Sequence, residues 1–209
     1  MAAALPNSGI VVVRHGATEW SEVGRHTGRT DLPLLPEGRR QAEELSRMLH
    51  PQDFGRVLCS PLRRARETCE LAGFGQRAEI VEDLREWDYG AYEGLTRQQI
   101  RERRPDWSLW RDGCPDGESP AQVSARADRV LALATAGNGD GRREDGQGEY
   151  QAPALLFAHG HILRVLSARW IGLEVDGGSR LVLRPAAVGL LGHDREIRAI
   201  EGWNLTDLS

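Results

Sequence analysis

Four consecutive apolar positions, Ile10-Val-Val-Val13, run directly into Arg14-His15-Gly16. An unbroken run of this kind predicts a strand buried on both faces. The period then changes. Apolar Ala42, Leu45, Met48 and Leu49 recur at helical spacing after Pro36, and His50-Pro51 closes the segment. The unit repeats, with a strand at Arg56 to Cys59, Pro61 where a helix starts, and a helical stretch from Leu62 to Ala72 with Gly73 as its stop. Thr96-x-x-Gln99 and Ser119-x-x-Gln122 are capping boxes that predict two more helices. The second of these carries Val123, Ala127, Val130, Leu131 and Ala134 on one face. Ala154 to Ala158 is again a buried-type strand and Ile162 to Ile171 a helix, with late strands predicted at Arg180 to Leu183, Val188 to Leu191 and Glu196 to Ile200. Alternation of this kind predicts an α/β fold of three layers, α/β/α, with a mostly parallel central sheet, helices on both faces and antiparallel edges.

One stretch interrupts the pattern. Gly137 to Gly148 is polar and glycine-rich, and because the alternation resumes beyond it, it predicts a flexible surface loop at about 137–151 within one domain spanning 1–209. A length of 209 residues suffices for one sizeable core.

Composition narrows the chemistry. The sequence contains no lysine, so all 27 basic residues are arginine, which excludes a Walker A lysine and a lysine Schiff base. Arginine instead suits forked recognition of phosphate. A net charge of −4 gives no general attraction to nucleic acid or to an anionic membrane, so any anion site must be local. Cys59, Cys69 and Cys114 form no C-x-x-C pair and are expected as reduced thiols. No apolar run approaches the roughly 18 residues of a membrane helix, and the first eight residues lack a basic or long apolar segment, so a cytoplasmic location is expected.

Three predicted strands end on reactive groups: Arg14-His15-Gly16, Cys59-Ser-Pro-Leu-Arg63-Arg64 and Ala158-His159-Gly160-His161. In open parallel sheets the binding crevice lies beyond these carboxyl ends. Glycine after each histidine permits close backbone approach, and the helix start that follows offers free N–H groups to an anion. A lone histidine is ordinarily a satisfied core or surface residue, and His26, His50 and His193 are read so. His15 and His159 differ because they share one context, an apolar run followed by His-Gly. His159 and His161 lie close in sequence, but positions i and i+2 of a turn can point apart and no Asp or Cys cluster accompanies them, so no metal is expected.

Phosphate-ester cleavage without a metal needs fixed donors for the phosphoryl charge, a neutral imidazole to attack phosphorus, and an acid for the leaving oxygen. Leu84 to Gly94 supplies Glu86, Asp88 and Glu93 as candidate acids. Other phosphatase and hydrolase signatures fail: no cysteine is followed by the C-x5-R spacing, Gly117-Glu-Ser-Pro-Ala121 follows a turn rather than a strand, and Gly73-x-Gly75-x-x-Ala78 follows a helix and reads as its C-cap.

The chain resembles the histidine phosphatase superfamily, the branch of cofactor-dependent phosphoglycerate mutases and related phosphatases. Five motifs carry the resemblance in the family's order: Val13 to Trp20, Arg25-His-Thr-Gly28, Ser60 to Thr68, Leu84 to Gly90 with Tyr92-Glu-Gly94, and Ala158 to His161. The resemblance implies the phosphoglycerate mutase-like fold. It implies His15 as phosphorylated nucleophile, Glu86 as acid and base, His159 as the second pocket histidine, and Arg14 and Arg64 as phosphate-binding arginines. Arg25, Thr27, Gly28, Gly160 and His161 fall where the family contacts phosphate or the rest of the substrate. Ala17 stands where relatives often carry Glu or Gln, and Ser21 where the mutases carry Asn.

Only 32 residues separate Glu86 from Ser119, too few for the mutases' shielding insertion, so water is the implied acceptor. The implied activity is metal-independent hydrolysis of small phosphomonoesters, sugar phosphates or similar, with no cofactor. Trp110 to Ser119 looks most like sedoheptulose-bisphosphatase-type and broad-specificity acid phosphatase members, with Trp110 and Arg111 either lining the substrate mouth or structural. Mutase-type phosphotransfer and a non-catalytic phospho-ligand-binding relative are the alternatives. The implied partner is a small phosphorylated metabolite, with no nucleic acid and no membrane, and a homodimer is left open.

Overall fold

The computed structural model describes residues 5, 9–136, 140–142 and 149–206. Strand β1 (Ile10–Arg14) is followed by a one-turn helix α1 (Glu19–Glu22), then α2 (Pro36–Leu45), β2 (Arg56–Cys59), α3 (Arg63–Leu71) and β3 (Ala78–Ile80). Short helices α4 (Arg97–Arg103) and α5 (Leu109–Asp112) lead to the long α6 (Pro120–Thr135). Strands β4 (Asp140–Arg142) and β5 (Glu149–Gln151) precede β6 (Ala154–Ala158), α7 (Gly160–Trp170), β7 (Val188–Asp194) and β8 (Ile197–Leu205).

Six strands form one sheet in the order β3-β2-β6-β1-β7-β8. The first four run parallel, and β7 and β8 add an antiparallel edge. Alternation within β1 explains its continuous apolar sequence. Ile10 and Val12 point to the face covered by α6 and α7, whereas Val11 and Val13 point to the face covered by α2 and α3. Leu156 and Phe157 of β6 divide the same way, which yields two cores and three layers. Both expected capping boxes form, with Thr96 accepting from the Gln99 N–H and Ser119 from the Gln122 N–H.

Several expectations are corrected. No strand forms at 180–183: Val175–Arg180 is a 3-10 helix, and the carbonyls of Val182 and Leu183 accept from the Trp203 indole and the Arg14 guanidinium instead of a ladder. Pro61 precedes α3 rather than opening it, because Ser60 Oγ takes the Leu62 N–H and Asp31 takes the Arg63 N–H. Helix α2 ends at Leu45, and tighter turns carry the chain to the buried Leu49. Of the stretch expected as a surface loop, 140–142 and 149–151 pair as a two-stranded ribbon, and the rest lies outside the described residues.

Candidate active site

The carboxyl ends of β1 and β6 lie side by side, with Arg14 in register with Ala158. Beyond that end, the His15 N–H donates to the Ala158 carbonyl and the His15 carbonyl accepts from Ala186, so the backbone carrying His15 is pinned on both sides. Gly16 is required here by close approach. A Cβ at Gly16 would lie 2.2 Å from the Gly38 carbonyl oxygen, so the loop after β1 presses backbone to backbone on the start of α2.

His15 is buried except for its route into a cavity of about 150 Å³. Its Nδ1 lies 2.7 Å from the Gly16 carbonyl oxygen, which can only accept, so Nδ1 carries the proton and Nε2 keeps its lone pair. Burial pushes the imidazole well below the ordinary histidine range, and the Arg64 and Arg14 charges push it the same way. The ring is therefore neutral at neutral pH.

Arg14 lies across Gly160, where a Cβ would sit 3.4 Å from Arg14 Cζ. Arg14 Nη1 donates to the Leu183 carbonyl at 2.7 Å. Arg14 Nε is the one buried side-chain nitrogen or oxygen without a hydrogen-bond partner among the described residues. Gly160 opens α7, so its N–H has no carbonyl one turn back to bond.

Glu86 reaches the same helix start. Its Oε1 accepts from the N–H groups of Trp87 and Ile162, and its Oε2 from the His161 N–H, each at 2.9 Å. Three of about four carboxylate lone-pair sites are used, and the last belongs to Oε2. The other two candidate acids turn elsewhere. Asp88 pairs with Arg29 at 2.6 Å, and Glu93 accepts from the N–H groups of Gly28 and Thr30, which fixes the 28–30 loop.

The cavity gathers Arg14, His15, Arg25, Thr27, Glu86, Gly160 and His161. Arg64, His159 and Gly28 are not on its wall. Arg64 is fully buried and donates to the carbonyls of Thr27, Gly28 and Thr30 and, through Nε at 3.1 Å, to His159 Nδ1. His159 Nε2 lies 2.7 Å from Ser60 Oγ, and its ring centroid is 5.2 Å from that of His15. The pair thus forms a layer directly behind the His15 ring. Burial, then the Arg64 charge, pushes the His159 imidazole well down. Gly28 has its N–H on Glu93 and its carbonyl on Arg64, and it faces a different cavity.

His26, Tyr89 and Arg164 also line the site. His26 stood inside the Arg25 to Gly28 motif but read as a lone histidine. Arg164 is four residues from Gly160 on α7, a spacing that puts both on one helix face and could have revealed it. Arg164 stacks over Trp110 at 4.7 Å. Trp110 also packs edge-on against Trp87 and tilted against His161, Arg111 pairs with Asp112, and neither residue lines the cavity.

A mostly parallel sheet at whose strand ends a neutral imidazole and a guanidinium meet a buried carboxyl group in one cavity defines an α/β protein suited to handling an oxyanion. Residues 10–206 match the model of the histidine phosphatase superfamily (branch 1), and the chain belongs to that family. It is 41% identical over 202 residues to an acid phosphatase of Mycobacterium tuberculosis, covering 96% of this chain and 94% of that protein. It is 39% identical over 193 residues to a sedoheptulose 1,7-bisphosphatase of Saccharomyces cerevisiae, covering 79% of this chain and 68% of that protein. Among solved structures, the product of a Mycobacterium tuberculosis open reading frame superposes with a TM-score of 0.83 at 40% identity, covering 94% of this chain and 96% of that one.

Proposed function

We propose that the protein is a phosphoric monoester hydrolase that cleaves small phosphorylated metabolites through a phosphohistidine. The observation that carries this reading is the buried, unpartnered Nε of Arg14, a residue lining the same cavity as His15, whose Nε2 keeps its lone pair. A buried cationic donor left unbonded is costly, and an oxyanion held between Arg14 and the Gly160 N–H removes that cost. The phosphatase names of the relatives support the same class.

In the first step His15 Nε2 attacks phosphorus, the ester P–O bond breaks, and Glu86 gives its proton to the departing oxygen. In the second, water attacks the phosphohistidine, Glu86 takes a proton from it, and the P–N bond breaks to release phosphate. Arg14 and the α7 N-terminus hold the phosphoryl oxygens. Arg64 and His159 back the His15 ring, and Arg25, Thr27 and His161 face the leaving group. Gly28 shapes the Thr27 loop.

The test is hydrolysis of p-nitrophenyl phosphate with a chelator present, together with rapid trapping of a ³²P-labelled protein. The wild type is expected to turn over and to carry acid-labile label, and His15→Ala to lose activity by roughly 10⁴-fold or more. An active His15→Ala enzyme, or label that stays on that variant, overturns the mechanism. Isomerisation of phosphoglycerate faster than phosphate release would replace hydrolysis by phosphotransfer.

A further inference from the structure

His26 and His161 face each other across the site, with ring centroids 6.0 Å apart and planes within 6°. Their hydrogen bonds fix opposite tautomers. His26 Nδ1 lies 2.8 Å from the Leu95 carbonyl oxygen, so it donates, and Nε2 of the neutral ring is an acceptor. His161 Nδ1 lies 2.6 Å from the Tyr89 hydroxyl. Tyr89 is buried and its hydroxyl makes no other hydrogen bond among the described residues; with that hydroxyl as donor to Nδ1, Nε2 of His161 carries the proton.

Neither Nε2 atom has a partner within the described protein and neither is buried, while both residues line the cavity that holds Arg14 and His15. The site therefore offers one imidazole donor and one imidazole acceptor beyond the phosphoryl position. Burial pushes both rings below the ordinary histidine range, which keeps the two characters distinct at neutral pH.

Resting on the hydrolase reading above, we infer that His26 and His161 are a specificity pair that reads a hydroxyl of the leaving group, which makes polyol and sugar phosphomonoesters the preferred substrates. A hydroxyl both donates and accepts, so it satisfies both nitrogens. A carboxylate only accepts, an ammonium only donates, and an alkyl chain does neither. Neighbouring hydroxyls on a polyol chain can also take one nitrogen each.

The experiment compares a pentose phosphate with pentyl phosphate in wild type, His26→Phe and His26→Gln. Phenylalanine keeps the ring that packs on Tyr89 and Trp107 and removes the acceptor, whereas glutamine restores an acceptor. The wild type is expected to favour the pentose phosphate in kcat/KM by about tenfold or more, H26F to lose most of that ratio, and H26Q to recover part of it. Binding of both esters to the His15→Ala protein, measured by calorimetry, is expected to show the same preference without turnover. No preference in the wild type or in that binding measurement, or an H26F effect equal for both esters, overturns the inference. A protein that binds both esters with the expected preference but hydrolyses neither overturns the hydrolase reading instead.

Discussion

His15 is useful only while its imidazole is neutral, and the structure assigns that state to causes of different size. Burial comes first, then Arg64, then Arg14, all lowering its proton affinity against the single opposing bond to Gly16. The sign is fixed: the group is charged only below a folded-state midpoint lying well under 6.5. Nitrogen NMR of the imidazole, assigned with His15→Asn, should show that midpoint, and Arg64→Met should raise it while leaving it under 6.5, because the larger cause remains. A wild-type midpoint at or above 6.5 would contradict this. At this scale the sequence was legible where chemistry and context coincide. His15 and Glu86 are recognisable from their motifs; residue types alone left Glu86, Asp88 and Glu93 as candidate acids, the resemblance implied Glu86, and in the structure the three meet different backbone N–H groups. His26 was missed because its role comes from the His161 ring, far away in sequence and set opposite it by Tyr89 and the α7 start.

Between the site and the scaffold stands the segment 82–88, which has little regular structure of its own and is held from α6. Arg126 Nη1 donates to the carbonyls of Asp83 and Arg85 at 2.6 and 2.8 Å, and its Nε and Nη2 grip Glu118 at 2.8 and 2.7 Å. Glu118 in turn accepts from the Asp88 N–H at 2.9 Å, and its carbonyl accepts from the Trp87 indole at 2.9 Å. Arg126 lies off the cavity wall, so it acts by positioning Glu86. Arg126→Met leaves Glu118 without its cation at a largely buried site, and a destabilisation of about 3 kcal/mol is expected by urea unfolding. The mechanistic signature is kcat falling about tenfold while KM moves little, with the double variant Arg126→Met, Glu118→Gln regaining stability more than kcat. Recovery of both together would reduce Arg126 to a purely structural role. Elements of this size were only partly readable. Strands β1, β2 and β6 announce themselves because both faces are apolar, whereas 180–183 looks like a strand only until Arg14 and Trp203 claim its carbonyls.

Across the whole molecule, the site concentrates four neutral imidazoles, His15, His26, His159 and His161, each lowered in proton affinity chiefly by burial. Their folded-state midpoints lie below the unfolded value of 6.5, so in that window the unfolded chain binds more protons than the native one. Stability from this source is fully present above 6.5 and is lost as pH falls from there toward the folded midpoints. Each histidine inside the window contributes a slope of up to about 1.4 kcal/mol per pH unit. The carboxylates whose affinity is lowered by arginine partners and hydrogen bonds act in the same direction but later. Asp83 and Glu67 lose their contribution only below their ordinary values of 3.8 and 4.5, and Asp112, drawn down by Arg111, titrates at about 2. The two sources therefore separate on the pH axis. Urea unfolding between pH 7.5 and 5 should show stability level above about 6.5 and falling steadily below it, before the carboxylates contribute. His161→Phe should flatten that fall by up to one histidine's share, since it removes one proton acceptor from the unfolded chain. A wild-type curve that stays level down to pH 5 would mean that the imidazoles titrate in the folded site, and the neutral pocket on which both the nucleophile and the hydroxyl-reading pair depend would not exist.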